Sequence, residues 1–269
     1  MAAGDEFRAL KRNWEWLGRH DALWAILTDP SKSGGRWSLG EFLETGRAEA
    51  AHVVDYLGEV APTCPRGRAM DFGCGVGRVT RPLAAHFAEV IGVDVSSSMI
   101  ERARALTTDS RCRFVVNASP DLRQFNDQSF DFVYSRIVLQ HLPPAIAGRY
   151  ISEMVRVLVP GGVLLFQVPT PIASGLDAFL ASDVQGPLKR RLPRAFVRRW
   201  RRFKYSILRL RRFGMRRIDM YGLARDEVTA IVESSGAQIR EVRDDNAHGT
   251  AEPGYQYCCV KRAAARLDV

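Results

Sequence analysis

The stretch that decides the fold is Arg68-Ala-Met-Asp-Phe-Gly-Cys-Gly-Val-Gly-Arg-Val-Thr80. A short apolar run, Ala69 to Phe72, leads into three glycines, and a helical pattern begins at about Gly77. Glycine lets the backbone turn sharply and lets a ligand come close, because no Cβ intervenes. A helix start adds N–H groups that lack partners within the helix. This order of strand, turn and helix predicts a site for a nucleotide-like ligand.

The glycine spacing argues against a dinucleotide. Dinucleotide-binding turns carry Gly-x-Gly-x-x-Gly, whereas here glycines stand at 73, 75 and 77, and Arg78 follows. Asp71 precedes the glycines and would repel a pyrophosphate, but it suits a ligand with an ammonium or sulfonium charge. The next predicted strand ends in Asp94, at close to the ~20-residue spacing expected of a ribose-binding carboxylate. A ligand with both a ribose and a cationic amino-acid end is S-adenosylmethionine.

Four motifs, in order, resemble those of class I S-adenosylmethionine-dependent methyltransferases. They are Asp71-Phe-Gly-Cys-Gly-Val-Gly77, Val90-Ile-Gly-Val-Asp-Val-Ser-Ser-Ser-Met99, Ser129-Phe-Asp-Phe-Val-Tyr-Ser-Arg-Ile-Val-Leu-Gln-His-Leu142 and Arg156-Val-Leu-Val-Pro-Gly-Gly-Val-Leu-Leu-Phe166. The resemblance covers about residues 65–170 and leaves both ends of the chain unexplained. It implies a methyltransferase with a Rossmann-like, doubly wound α/β sheet of seven strands, parallel except for one antiparallel strand.

The alternation of strand and helix patterns also predicts a parallel, doubly wound sheet. We predict strands over 68–72, 89–93, 112–116, 130–134, 162–168, 237–243 and 255–261. Helices are predicted over 5–28, 39–60, 77–87, 97–107, 145–158 and 225–235. A single methyltransferase domain over 1–269 then has four parts: N-terminal helices (1–64), a cofactor-binding core (65–170), a basic helical insertion (171–222) and a C-terminal helix and hairpin (223–269). The resemblance implies that the N-terminal helices form a lid, and plain packing against the sheet is the alternative.

Two carboxylates are the main candidates for contact with the cofactor. The resemblance implies that Asp71 accepts bonds near the methionine amino group. It implies that Asp94 accepts both ribose hydroxyls, since a carboxylate can accept two hydrogen bonds at once. Capping of turns is the alternative for both. The backbone of Gly73, Cys74 and Gly75 is expected close to the ligand.

The remaining cofactor candidates lie after the next strands. Val95 and Met99 are expected to line the adenine pocket, although both also suit the core. Many relatives carry an acid where this chain has Ala118, so the side chain of Asn117 or the backbone of Ala118 is expected to contact the adenine instead. Arg136 follows the fourth strand, where open α/β sheets bind ligands.

Methyl transfer needs a base if the acceptor is a hydroxyl. His141 is the first candidate, because imidazole titrates near neutrality, and a packing role in its Gln-His-Leu-Pro turn is the alternative. His248, in a polar loop before the last strand, is the second. Relatives that act on nitrogen often carry Asn/Asp-Pro-Pro-Tyr where this chain has Ser135-Arg-Ile-Val, so transfer to oxygen is favoured. The acceptor is expected to be a small molecule, or linked to a lipid or sugar. A catalytically silent cofactor-binding protein or partner subunit is the alternative.

The net charge of +9 comes from one segment. Residues 186–217 hold 14 Lys and Arg and no acid, whereas the remainder holds 25 basic and 30 acidic residues. Within 194–213 the apolar residues form one helical stripe flanked by arginines, which is typical of a membrane-surface helix. A lid over a cleft for an anionic substrate is equally compatible, and nucleic-acid binding is less favoured because no RNA-binding module is present.

The cysteine pattern and the hydropathy bear on the cellular compartment of the protein. None of the five cysteines forms a Cys-x-x-Cys pair, which predicts a reduced protein without a zinc site. No apolar run reaches the ~18 residues of a membrane span, and no secretory signal pattern is seen. We therefore expect a cytoplasmic protein with peripheral membrane contact through 194–213. The oligomeric state is not predicted.

Overall fold

The computed structural model describes residues 3–171, 219–247 and 252–263. Most of the predicted basic insertion, including the helix over 194–213, lies outside the described residues, and so does His248. Membrane contact through that helix therefore stays a prediction. Within the described ranges, no helix is both long enough and apolar enough to span a bilayer.

In the described residues, seven strands form one sheet in the order β3-β2-β1-β4-β5-β7-β6. Neighbours among the first five pair in parallel, and β7 is antiparallel to both β5 and β6. This confirms the predicted Rossmann-like sheet with one antiparallel strand. The strands are β1 Arg68–Phe72, β2 Glu89–Asp94, β3 Cys112–Val116, β4 Phe130–Ser135, β5 Leu158–Pro169, β6 Ala237–Asp244 and β7 Gly254–Lys261.

The helices cover both faces of the sheet and one end of it. They are α1 Ala3–His20, α2 Ala22–Ile26, α3 Leu39–Val60, α4 Thr80–Leu83, α5 Ser97–Ala105, α6 Pro144–Val157 and α7 Arg225–Ser234. Side chains of α6 and α7 pack on one face of the sheet. Those of α3 and α4 pack on the other, while α1 and α2 join α3 in a smaller apolar cluster.

Two predicted helices were wrong in their extent. The helix predicted over 5–28 breaks between α1 and α2 at Asp21, whose carboxylate accepts hydrogen bonds from the backbone N–H of Gly34 and Gly35. The helix predicted over 77–87 is limited to the four residues of α4. Gly77 has a φ of +76°, so it belongs to the turn and cannot begin a right-handed helix.

Helix α3 lies directly against the glycine turn. A Cβ at Gly46 would lie 2.1 Å from the backbone oxygen of Arg78, whereas a Cβ at Gly58 on the same helix would meet nothing within 4 Å. The close approach therefore depends on the missing side chain at Gly46.

We expect opposite effects from adding a methyl group at these two glycines of α3. Gly46→Ala should lower the free energy of unfolding by about 1–3 kcal/mol, because the backbone has to move away. Gly58→Ala should raise it by about 0.5–1 kcal/mol, because alanine favours a helix more than glycine does. Urea unfolding of both variants measures this, and a gain in stability for both would contradict the close approach.

Candidate functional site

The described residues enclose a large cavity at the carboxyl ends of the central strands. It holds about 980 Å³ of space, open mouth included, and is roofed by residues of α1, α2 and α3. Its lining includes ten polar residues or residues of the glycine turn: Glu49, Asp71, Gly73, Cys74, Gly75, Arg78, Asp94, Asn117, Arg136 and His141.

The glycine turn forms one wall of the cavity. Gly73 and Gly75 both have positive φ, of 78° and 54°, a region that other residues enter only at a cost. A Cβ at Gly73 would lie 2.3 Å from the side chain of Val138, and a Cβ at Gly75 would lie 2.5 Å from Ile26. Both glycines are thus required by conformation and by space. Between them, Cys74 is a buried free cysteine, and burial raises the pKa of its thiol well above the usual range.

Asp94, at the end of β2, faces the glycine turn. Its carboxylate accepts a hydrogen bond from the backbone N–H of Gly75 at 2.9 Å and another from the backbone N–H of Ser96 at 2.9 Å. Loss of hydration raises the pKa of Asp94 to about 6. A carboxylate has about four acceptor positions, so Asp94 can still accept from a ligand hydroxyl, as the ribose-binding role requires.

Asp71, near the end of β1, is buried under the same turn. Its carboxylate accepts a hydrogen bond from the hydroxyl of Thr80 at 2.6 Å, and burial raises its pKa to about 6. The carboxylate lines the cavity, where a cationic ligand group would favour its charged form.

The structure places three of the four residues predicted to lie near the adenine in the cavity lining. Val95, Met99 and Asn117 line the cavity, whereas Ala118 is exposed and lies outside the cavity lining. The side-chain amide of Asn117 donates toward the backbone oxygens of Ser119 and Asp121 and toward the hydroxyl of Tyr150, and its oxygen accepts from Gln124. This amide therefore holds the loop after β3 together.

A cluster of charged and polar side chains, which we call the β4 wall, closes the other end of the cavity. Glu49 of α3 is its centre: one oxygen accepts from the Tyr134 hydroxyl at 2.8 Å, and the other accepts from Arg78 at 2.7 Å and Arg136 at 3.2 Å. Arg136 also donates two hydrogen bonds to Asp245, at 2.9 and 3.2 Å. The predicted residue Arg136 thus lies in the cavity, held by two carboxylates.

The backbone next to Arg136 is strained. Ile137 has a φ of +59°, which is rare for a β-branched residue. Its N–H donates to the side-chain oxygen of Gln167 at 3.2 Å. Strain of this kind persists only where the surroundings fix it, and it often occurs at functional sites.

His141 lines the cavity from a short 3₁₀ helix after β4. Its Nδ1 lies 3.1 Å from the backbone oxygen of Asp219, and its Nε2 lies 3.3 Å from the amide nitrogen of Gln140. Both ring nitrogens therefore contact protein groups. Burial lowers the pKa of His141 to about 4, so its imidazole is neutral at pH 7.

Four residues of the β4 wall were not among the predicted site residues: Glu49, Arg78, Tyr134 and Asp245. One signal in the sequence could have indicated Glu49. It falls on the face of α3 that carries the buried residues Gly46, Ala50 and Val53, and an acid on an apolar helix face calls for a buried partner. Within the described ranges, no group of three His, Cys, Asp or Glu side chains is arranged to hold a metal ion.

Comparison with known proteins identifies the domain. A family described as "Methyltransferase domain" matches residues 70–166. The trans-aconitate 2-methyltransferases of Deinococcus radiodurans and Methylobacterium radiotolerans are 34% and 37% identical to this chain over 135 and 124 residues. The matches cover 49% and 45% of this chain and of the respective relatives, so the chain spans about half the length of the curated relatives it matches.

A solved structure extends the likeness of fold to nearly the whole chain. Magnesium protoporphyrin IX methyltransferase from Synechocystis superposes with a TM-score of 0.60 and 19% identity, covering 96% of this chain and 100% of that one. At this identity the likeness shows the fold alone. The family match shows a methyltransferase domain over residues 70–166, and the chain has the Rossmann-like fold of class I S-adenosylmethionine-dependent methyltransferases.

Proposed function

We propose that this chain transfers a methyl group from S-adenosylmethionine to a carboxylate oxygen of a small-molecule acceptor. One observation carries the proposal: a single cavity joins the glycine turn and Asp94 to the β4 wall. The cofactor supplies, when bound, a methyl group on a positively charged sulfur. The protein has to hold the cofactor, orient the acceptor and exclude water.

The residues at the β1 and β2 ends of the cavity fit the cofactor. Asp94 keeps acceptor capacity for ligand hydroxyls, and the turn at Gly73 and Gly75 leaves the space that side chains would fill. Asp71 offers a buried carboxylate to a cationic group. The chain resembles trans-aconitate 2-methyltransferases over about half of its length, and these relatives are named for methyl transfer, which supports this assignment.

The β4 wall is the natural place for the acceptor. Strand β4 lies beyond β1 from β2, so Arg136 and Asp94 follow strands that are about 10 Å apart. A guanidinium has five N–H donors, and three of those of Arg136 go to Asp245 and Glu49. Two donors are left for an acceptor, and arginine recognises carboxylates well because its donors match their geometry.

The chemistry of the described cavity residues favours an acceptor that is already ionised. A general base works best when its pKa lies near the working pH. Burial lowers the pKa of His141 to about 4 and raises that of Tyr134 well above the usual range. A carboxylate is ionised at pH 7 and has no proton to lose, so neither group is needed as a base. The relatives named for trans-aconitate act on a molecule of this class.

A comparison of acceptor classes tests the proposal. We would incubate the chain with S-adenosylmethionine and either trans-aconitate, a phenol or phosphoethanolamine, and detect methylated product by mass spectrometry. Product from the carboxylate alone is the expected result. Product from the phenol or the amine alone would contradict it. Cofactor binding without any product would favour the catalytically silent alternative.

A variant of the β4 wall separates acceptor binding from cofactor binding. Arg136→Lys keeps a positive charge beside Glu49 and Asp245 but loses the planar set of donors. With a carboxylate acceptor, kcat/KM should fall about tenfold, or ~1.4 kcal/mol. The Kd for S-adenosylhomocysteine should stay within about twofold, and an equal loss in both would place Arg136 on the cofactor instead.

A further inference from the structure

The side chain of Glu15 in helix α1 binds the beginning of helix α5. Oε2 of Glu15 lies 3.0 Å from the hydroxyl of Ser96 and 3.1 Å from the hydroxyl of Ser97, both of which donate to it. The backbone N–H of Ser98 donates to the same oxygen at 3.2 Å. A carboxylate at this position is also favoured by the positive end of the α5 dipole. Glu15 therefore holds the beginning of α5 from a distant part of the sequence.

The two helices approach each other as closely as a glycine permits. A Cβ at Gly18, one helical turn after Glu15, would lie 2.4 Å from the hydroxyl of Ser98 and 3.1 Å from Cγ of Met99. The absence of a side chain at Gly18 lets α1 lie on the same serines that Glu15 binds. The contact between α1 and α5 is thus built from two positions of α1.

Ser96 connects Glu15 to Asp94, the carboxylate that we assign to cofactor binding. The hydroxyl of Ser96 donates to Glu15, and its backbone N–H donates to Asp94 at 2.9 Å. The same hydroxyl accepts a hydrogen bond from the backbone N–H of Met99 and so caps α5. Ser96 is completely buried. These bonds fix the chain between Asp94 and α5, and the bond from Ser96 to Glu15 ties it to α1.

The residue before Glu15 lies over the cavity. Trp14 lines the cavity, and its ring meets the ring of His141 edge to face at a centroid distance of 5.1 Å. Because Trp14 and Glu15 are consecutive, the anchor at α5 also fixes where Trp14 stands. The opposite oxygen of Glu15 accepts from Arg19, so both carboxylate oxygens are held.

We propose that Glu15 is a positioning residue for the cofactor: through Ser96 it holds Asp94 in place, and through α1 it holds Trp14 over the cavity. The proposal rests on the proposed function, because it assumes that Asp94 binds the cofactor. Glu15 does not touch the cofactor in this role. Its contribution appears in cofactor affinity even though its own contacts are all within the protein.

The test measures the Kd for S-adenosylhomocysteine by calorimetry at a temperature where every variant is folded. Glu15→Gln keeps the shape of the side chain but removes the charge that Ser96, Ser97 and Ser98 bind. We expect it to weaken binding about tenfold. Glu6→Gln, on the same helix but outside the cavity lining, is the matched control and should change the Kd by less than about twofold.

A double-mutant cycle shows whether the effect passes through Ser96. If it does, Glu15→Gln and Ser96→Ala should not be additive, and the double variant should bind about as weakly as the weaker single variant. Additive effects would mean that Glu15 does not act through Ser96 and would overturn the proposal. Ser97→Ala removes one bond to Glu15 and leaves the hydrogen bonds of Ser96 in place, so we expect a smaller loss of affinity, of about twofold to threefold.

The outcomes separate this inference from the proposed function. Failure of the wild-type chain to bind S-adenosylhomocysteine would refute the proposed function itself. Binding by the wild type with unchanged affinity in both Glu15→Gln and Ser97→Ala would leave that function standing and refute the role of Glu15 alone.

Discussion

Asp94→Ala should lower the affinity for S-adenosylhomocysteine by about 100-fold or more. Hydrogen bonds to a charged group contribute ~1.5–3 kcal/mol each, and each ribose hydroxyl that donates to Asp94 adds one such bond. The substitution also removes the acceptor for the N–H of Gly75, so the glycine turn loses a support. Calorimetry at pH 7.5 measures the loss. Asp109→Ala is the control, because the carboxylate of Asp109 bonds Arg111 within its own loop.

The same carboxylate should make binding depend on pH. The pKa of Asp94 is raised to about 6, as is that of Asp71, and the ligand prefers both in the ionised form. Affinity should therefore be full at about pH 7 and above, begin to fall near pH 6, and drop by tenfold or more per pH unit at lower pH. Asp94→Asn removes one of the two titrating groups, so its affinity should fall less steeply. Equal slopes in both proteins would show that Asp94 does not bind the ligand.

Unfolding does not explain such a loss of affinity. Both carboxyls have a higher pKa in the folded chain than their ordinary value of 3.8. The folded state therefore binds more protons than the unfolded state between about pH 6 and pH 4. In this window the two groups make the unliganded fold relatively more stable as the pH falls. Ligand affinity and the contribution of these groups to stability should thus change in opposite directions.

Glu49→Ala should be among the most destabilising single substitutions in the described part of the chain. The side chain of Glu49 is only 10% exposed and that of Arg78 only 7%. Removing Glu49 leaves the buried guanidinium of Arg78 without this carboxylate. It also removes one of the two carboxylates that bind Arg136. Breaking a buried ion pair from one side costs about 3–5 kcal/mol. Urea unfolding should show a loss of that size, together with a loss of cofactor affinity because the β4 wall adjoins the glycine turn.

The control for Glu49 lies on the same helix. Glu44 of α3 pairs with Arg47, but the two side chains are 65% and 60% exposed. Exposed pairs contribute about 0–1 kcal/mol, so Glu44→Ala should change the stability little. Equal losses in Glu44→Ala and Glu49→Ala would mean that the substitutions act through the helix and not through the β4 wall.

The sequence by itself determined the sheet, the glycine turn and the two carboxylates beside it. The strands and the turn depend on neighbours in the chain, whereas the order of the strands in the sheet is what the family resemblance implied. An apolar run followed by glycines favours a strand and a turn, and Asp71 and Asp94 are placed by the ends of their own strands. The family motifs over 70–166 are local in the same sense, which is why the cofactor half of the cavity could be predicted.

Only the tertiary structure decided the β4 wall and the state of the candidate base. Glu49 meets Tyr134 across 85 positions, and Arg136 meets Asp245 across 109. No local pattern specifies a pairing at that distance. The low pKa of His141 and the commitment of the Asn117 amide to its loop likewise arise from neighbours distant in sequence. Desolvation and long-range hydrogen bonding depend on what the folded chain brings together, so the acceptor half of the site is a property of the packed structure.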